Sequence, residues 1–392
     1  MERQFARRTL NTQKSFIREI LKVTENTEII SFAGGLPNPC TFPVKEITEA
    51  ADKVLKENGS EVLQYTTTEG YYPLRKFIAD RYSSKRGFSV RPEEILITNG
   101  SQQALDLIGK VFINRGDRVA IESPGYLGAI QAFSMFEPEF LSIPLEDDGL
   151  DTDILEKELK KGSIKLLYTV PNFQNPSGVA YSLKKRIIMS FVMKNYNSML
   201  VEDDAYGELR FTGEDLPLIR SLNNESVLLL GSFSKIISPG LRVGWICAPK
   251  DVIEKLIIAK QASDLHSNYL AQRVIFRYLA ENDIDDQIAK IKSTYGKQRD
   301  LMIKLIEQYF PAEIKCTKPE GGMFLWLTLP KRLSALEAFN KALEEKVAFV
   351  PGIPFYIDGK GDNTLRLNFS NSDEDKIEEG IKRLSKIFVR AL

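Results

Sequence analysis

Lys235 stands in the stretch Leu228-Leu-Leu-Gly-Ser-Phe-Ser-Lys-Ile-Ile-Ser-Pro-Gly-Leu-Arg-Val-Gly-Trp245. Ser232 and Ser234 precede it, and Arg242 follows seven residues later. The run Val227 to Leu230 is apolar and reads as a buried strand that breaks at Gly231. A second apolar run, Val243 to Ala248, leads away. The pattern sets a lysine, an arginine and two serines just outside a buried sheet. A lysine in a crowded, partly dry, cationic place has its charged form disfavoured. Its neutral amine is then a nucleophile that condenses with carbonyl groups. The alternative is a solvated loop lysine, the usual state of that residue. The rest of the chain has to decide between the two.

From Glu94 onward apolar runs alternate with helical patterns, the signature of a largely parallel sheet covered by helices. The runs are Ile95–Thr98, Val119–Ser123, Phe140–Ile143, Lys165–Val170, Met199–Glu202, Val227–Gly231 and Val243–Ala248. Ligands of such sheets bind beyond the carboxyl ends of the strands. The first run is followed by Thr98-Asn-Gly-Ser-Gln, in which Ser101 and Gln102 open a helix. That N-terminus suits a phosphate, although Ser101 also fits a plain helix cap. Tyr126 follows the second run, placed to stack on a planar ring or simply to pack. Pro171-Asn-Phe-Gln-Asn175-Pro-Ser-Gly178 follows the fourth, and Asp203 with Tyr206 follows the fifth. A desolvated Asp203 needs a cation, and a protonated ring nitrogen would keep it ionised; a turn or cap is the other reading. Each feature alone is weak, and their succession at strand ends is specific.

Outside the sheet the signals are thinner. The segment Gln13–Lys22 reads as a short amphipathic helix with Arg18 on its polar side. Gly34-Gly35 lies in an extended loop with three prolines, able to approach a ligand closely or merely to connect. Tyr65 stands in a polar loop before a helix that starts at Pro73. A long charged helix is expected over Asp285–Tyr309, followed by strands at Cys316–Leu329, Ala348–Val350 and Thr364–Phe369 and helices at Ala335–Glu345 and Asp373–Leu392. Arg366 alternates with Leu365 and Leu367, either an outward solvated residue or a forked clamp for a carboxylate.

Composition narrows the chemistry. The 392 residues suit about two domains. Lys+Arg and Asp+Glu both number 53, which gives no basic excess to bind nucleic acid. No apolar stretch approaches a membrane span, and the amino terminus has no secretory core, so a cytoplasmic location is expected. Cys40, Cys247 and Cys316 suggest neither a disulfide framework nor a metal site. His266 is the single histidine and reads as structural within a helical stretch. Acid–base work therefore falls to Lys, Tyr or a carboxylate. No Gly-x-Gly-x-x-Gly follows a strand, which disfavours a nicotinamide dehydrogenase.

Taken together, the stretches SFAGGLPNP, LQYTTTEGYYPLR, TNGSQQALDLIGKVF, PNFQNPSG, VEDDAYGELRF, LGSFSKIISPGLRVGW, KPEGGMFLWLTLP and EKVAFVPGIPF resemble the class I aminotransferases that use pyridoxal 5′-phosphate (PLP). The resemblance covers essentially the whole chain. It is strongest to the 2-aminoadipate (LysN-type) and kynurenine aminotransferase subgroup. It implies an α/β chain of PLP fold type I: a mostly parallel seven-stranded sheet in a large domain, plus a smaller α/β domain built from both termini. The expected division is 1–45 as N-terminal segment and part of the small domain, 46–285 as the large domain and 286–392 as the rest of the small one. By the same resemblance, Lys235 bonds the cofactor aldehyde and later moves the Cα proton. Asp203 binds the pyridine N–H, Tyr206 and Asn175 hold the ring oxygen, and Tyr126 stacks on the ring. Ser101, Gln102, Ser232, Ser234 and Arg242 hold the phosphate, and Tyr65 reaches the phosphate of the neighbouring subunit of a homodimer. Arg366 grips the substrate carboxylate, Gly35 belongs to a loop closing over it, and Arg18 meets an acidic side chain. The expected reaction moves an amino group from an amino acid to a 2-oxo acid such as 2-oxoglutarate. A β-lyase or a non-catalytic PLP-binding sensor is the alternative. The sensor is disfavoured because no DNA-binding segment precedes the first motif.

Overall fold

The computed structural model describes residues 4–11, 20 and 28–391. The fold is organised around one large sheet. Its strands are β2 (Ile95–Thr98), β3 (Arg118–Ser123), β4 (Glu139–Glu146), β5 (Gly149–Leu150), β6 (Leu166–Thr169), β7 (Met199–Asp203), β8 (Val227–Ser232) and β9 (Gly244–Cys247). They lie in the order β2-β9-β8-β7-β6-β3-β4-β5. All seven expected runs are present, and the sheet has eight strands rather than seven. The extra one, β5, is two residues long and pairs antiparallel with the end of β4. Such a stub is too short to carry a periodic signal.

The pairings β8–β7, β7–β6, β6–β3 and β3–β4 are parallel, whereas β9 runs antiparallel to both β2 and β8. Reversing twice leaves β2 pointing the same way as β8. Six strands therefore end at one edge. Alternate residues explain why the runs are apolar throughout: Leu166 and Tyr168 join the main core, while Leu167 between them joins a second core on the opposite face. The same split separates Val119 and Ile121 from Ala120, and Val201 from Leu200.

A second sheet, β10 (Lys315–Cys316), β11 (Phe324–Thr328), β13 (Val350–Pro351) and β14 (Thr364–Asn368), is antiparallel in the order β10-β11-β14-β13. The single strand expected over Cys316–Leu329 is thus two strands, separated by a turn at Gly321-Gly322. A two-stranded parallel pair joins β1 (Ile30–Ser31) to β12 (Val347–Ala348), so the N-terminal segment is stitched to the C-terminal region. The long helix, Ile284–Tyr309, fixes both: Gln287 Nε2 donates to Thr41 O at 2.7 Å and Gln298 Nε2 to Ser372 O at 2.6 Å.

His266 does not lie in a helix. It sits in the turn between the helices Lys250–Gln261 and Tyr269–Glu281, not within the expected helical stretch. Leu265 there has φ +68° and Asn268 caps the second helix through its bond from Ala271 N. Among the described residues no helix is long and apolar enough to cross a membrane, and no His/Cys/Asp/Glu cluster could hold a metal. The expected helix Gln13–Lys22, with Arg18, falls outside the described residues except for Ile20, which is buried.

Candidate active site

The common carboxyl edge of the large sheet opens into a cavity of about 500 Å³. Gly35, Ser101, Gln102, Tyr126, Asn175, Asp203, Tyr206, Ser232, Ser234, Lys235, Arg242 and Arg366 all line it. Twelve of the fourteen residues singled out by sequence thus meet in one place. Tyr65 lines a different, shallow depression, is 77% exposed, and touches the His266 ring edge-on at 5.7 Å. Arg18 lies outside the described residues.

Topology explains the convergence. Ser101 and Gln102 open the helix Ser101–Phe112 just beyond β2, and Arg242 precedes β9, the neighbour of β2. Gly100 has φ +73°, and a Cβ there would stand 2.6 Å from Arg242 Nη2. Only glycine lets the guanidinium pass so close to the turn. Arg242 Nη2 donates to Asn99 O at 3.3 Å, while Ser234 N donates to Ser232 Oγ at 3.1 Å. Helix N–H groups, hydroxyls and a guanidinium form a cradle suited to a phosphate.

Lys235 Nζ lies beyond β8, donates to Gly35 O at 2.9 Å and sits 5.9 Å from the centre of the Tyr206 ring. Burial lowers its pKa to about 8; Arg366 and Arg242 add to the shift and Asp203 opposes it. Asp203 ends β7, 4% exposed. Burial raises its carboxyl to about 6, against the hydrogen bond from Tyr168. Asn175 Nδ2 reaches Tyr206 Oη at 3.3 Å.

Arg366 belongs to β14, between Trp326 of β11 and Val350 of β13, and is 2% exposed, so the outward reading fails. Its Nη1 donates to Asn175 Oδ1 at 2.8 Å and its Nη2 to Ala33 O at 2.6 Å. The guanidinium lies 4.3 Å from the Phe324 ring centre and 5.2 Å from that of Phe355. Burial lowers its pKa to about 10. It remains a cation at neutral pH.

Two features state what the cavity is built to receive. Lys235, Arg242 and Arg366 form no salt bridge among the described residues, and Asp203 is the one acidic residue lining the cavity. In addition, Ser101 Oγ, Asp203 Oδ1 and Arg366 Nε are buried without a hydrogen-bond partner. Buried polar groups are rarely left so. A phosphate beside Ser101 and Arg242, a ring N–H at Asp203 Oδ1 and a carboxylate on Arg366 would satisfy all three.

Sequence reasoning passed over two side chains here. Tyr168, inside an apolar run, donates from its hydroxyl to Asp203 Oδ2 at 2.8 Å and lies 25° from coplanar with Tyr126. Glu122 is buried at the end of β3 and accepts from Val170 N, Gln174 Nε2 and Tyr181 Oη, anchoring the loop that carries Asn175. The polar end of each lay in plain view, but the partners are dozens of residues away in sequence.

A mostly parallel sheet with a buried lysine, a facing aspartate and an anion cradle at one edge defines an α/β enzyme of fold type I. The sequence model of the family "Aminotransferase class I and II" matches residues 29–384. Aromatic-amino-acid aminotransferase 1 of Thermococcus litoralis is 45% identical over 391 residues, 98% of this chain and 94% of that one. The 2-aminoadipate transaminase of Thermus thermophilus is 46% identical over 378 residues, 95% and 94%. A kynurenine aminotransferase of Pyrococcus horikoshii, solved with PMP, KYN and KYA, superposes with a TM-score of 0.95 at 43% identity, covering 99% of this chain and 97% of that one. The chain belongs to the class I and II aminotransferase family.

Proposed function

We propose that this protein is a PLP-dependent amino-acid aminotransferase whose donors include aromatic amino acids and 2-aminoadipate, with 2-oxoglutarate as acceptor. The observation that carries the reading is the placement of Lys235 and Arg366 in one cavity with the unpartnered Asp203 Oδ1 and Ser101 Oγ. The donors rest on the named activities of the relatives.

When bound, PLP supplies the electron sink that makes the Cα–H of an amino acid acidic. Asp203 would hold the ring nitrogen in its protonated form, while Tyr168 keeps its Oδ2 fixed. Ser101, Gln102, Ser232, Ser234 and Arg242 would bind the phosphate, Tyr126 would cover the ring, and Asn175 and Tyr206 would hold the ring oxygen. Arg366 binds the donor carboxylate and so orients Cα towards Lys235. The Lys235 amine, neutral above about pH 8, would serve as the base that takes the proton from the donor Cα, which Arg366 would hold in the same cavity.

The remaining parts of the reading are a division and an assembly. Residues 46–285 form the cofactor domain, and 286–392 with part of 1–45 form the smaller one, a split supported by the four-stranded sheet and by β1–β12. The protein works as a homodimer with Tyr65 completing the partner site, and its location is cytoplasmic. Arg18 receives the acidic donor side chain: Arg18→Gln should raise KM for 2-aminoadipate by about tenfold, the worth of one charged hydrogen bond, and leave phenylalanine unaffected. Equal effects on both donors would remove Arg18 from the site.

Absorbance of the PLP-loaded protein, recorded while amino acids are added singly, tests the whole reading. The visible band should bleach to the near-ultraviolet band of the amine cofactor with 2-aminoadipate or aromatic donors and return with 2-oxoglutarate. A band that never bleaches, or release of pyruvate and ammonia in its place, would overturn it.

A further inference from the structure

Lys260 is a wholly buried lysine that the chemistry above does not use. It lies at the end of the helix Lys250–Gln261, behind the phosphate turn rather than in the cavity. Its Nζ donates to Asp264 Oδ1 at 2.9 Å, to Asp264 Oδ2 at 3.1 Å and to Gln103 Oε1 at 3.0 Å. Asp264 Oδ2 also accepts from Asn99 Nδ2 and from Gln103 Nε2, each at 2.6 Å. Gln103 Oε1 accepts from Asn99 N at 2.8 Å. The carbonyl of Asn99, in turn, takes the Arg242 bond. The N–H, the carbonyl and the side-chain amide nitrogen of Asn99 are therefore each held.

We infer that Asp264 and Lys260 are positioning residues for the cofactor phosphate: they lock the Asn99-Gly100 peptide so that Ser101, the first helix N–H groups and Arg242 face one point. This inference rests on the PLP reading of the cavity. Three observations support a positioning role over ordinary packing. The network ends on the residue directly before the glycine that Arg242 crosses. Its members come from two regions remote in sequence: Asn99 and Gln103 at the turn and helix that follow β2, and Lys260 and Asp264 at the end of the helix Lys250–Gln261 and the turn after it. It also holds a charged pair with Lys260 fully buried, an arrangement that costs desolvation and loosens sharply when one partner is removed.

The test is the ratio of two affinities. Equilibrium dialysis gives Kd for PLP and for pyridoxal, which has the same ring and aldehyde but no phosphate. In Asp264→Asn the charge that pairs with Lys260 is lost and one of the two acceptor oxygens is replaced by an NH2 donor. Kd for PLP should rise by about tenfold or more, as for loss of a charged hydrogen bond. Kd for pyridoxal should stay within about twofold, below the worth of one such bond. Asn99→Ala, at a half-buried position, should give the same pattern if Asp264→Asn does not fold. Equal weakening of both ligands, or an unchanged ratio, would overturn the inference. Failure of the unsubstituted protein to prefer PLP to pyridoxal would instead overturn the reading of the cavity itself.

Discussion

Lys235 is set apart from the other lysines by where its charge is placed. Burial and two nearby guanidiniums make the ammonium costly, so the amine is neutral above about pH 8 rather than near the usual lysine value. The sign follows directly: below about 8 the protonated form dominates and cannot attack an aldehyde, and above it the nucleophile is fully present. The rate at which PLP-free protein captures PLP should therefore rise with pH with its midpoint at about 8 and level off above it; a midpoint near 10 would mean the lysine is not desolvated. Lys235→Ala should remove the visible band and nearly all turnover, and an unchanged band in that variant would place the cofactor elsewhere. Tyr168 acts on the same chemistry at one remove. Its hydroxyl favours the ionised form of Asp203, whose carboxyl burial raises to about 6. Tyr168→Phe should let it rise further, so that less Asp203 is ionised at neutral pH. The kcat should fall by about tenfold, the worth of one hydrogen bond to a charged group, with the loss partly recovered at higher pH. A pH-independent loss would assign Tyr168 to packing alone.

At the scale of elements, the large sheet was readable because strands buried on both faces announce themselves as apolar runs, and all seven runs were found. The same physics hid what lay inside them. Tyr168 reads as one more large residue of Leu166–Thr169, and its bond to Asp203 exists only once β6 lies beside β7. Glu122 reads as the polar end of a strand, yet it is 1% exposed and ties β3 to Val170, to Gln174 and to Tyr181. Burial raises its carboxyl to about 7 despite those donors. Arg366 was legible as a forked carboxylate clamp or a solvated strand residue, and strand alternation alone could not choose between them. Glu122→Leu tests the element argument. It leaves the Val170 N–H and the Tyr181 phenol without their acceptor, each worth ~1–3 kcal/mol when buried, and takes from the Gln174 amide one of its two acceptors. Denaturant unfolding should show a loss on the order of 3 kcal/mol. A loss below about 1 kcal/mol would mean the carboxylate is not what pins the Asn175 loop.

The whole molecule leaves one sequence motif outside the cavity it should serve. Tyr65 and Leu63 are 77% and 72% exposed, Leu265 nearby is 47% exposed, and the Tyr65 ring meets the edge of His266 within its own chain. Exposed apolar side chains are common singly, whereas a cluster beside a family motif suits a contact surface. In a two-fold dimer each patch can deliver its Tyr65 to the other cavity. Tyr65→Phe should then weaken PLP by about tenfold through loss of one phosphate hydrogen bond, which by itself does not say whose phosphate is touched. A hybrid does. Pairing a Tyr65→Ala chain with a Lys235→Ala chain gives one cavity with an intact lysine and the intact tyrosine of the other chain, while the second cavity carries both defects. Mixed and reassociated chains should therefore turn over faster than either variant alone, in proportion to the hybrid isolated by differential tagging. If Tyr65 served its own cavity, each hybrid cavity would carry one defect and mixing would gain nothing.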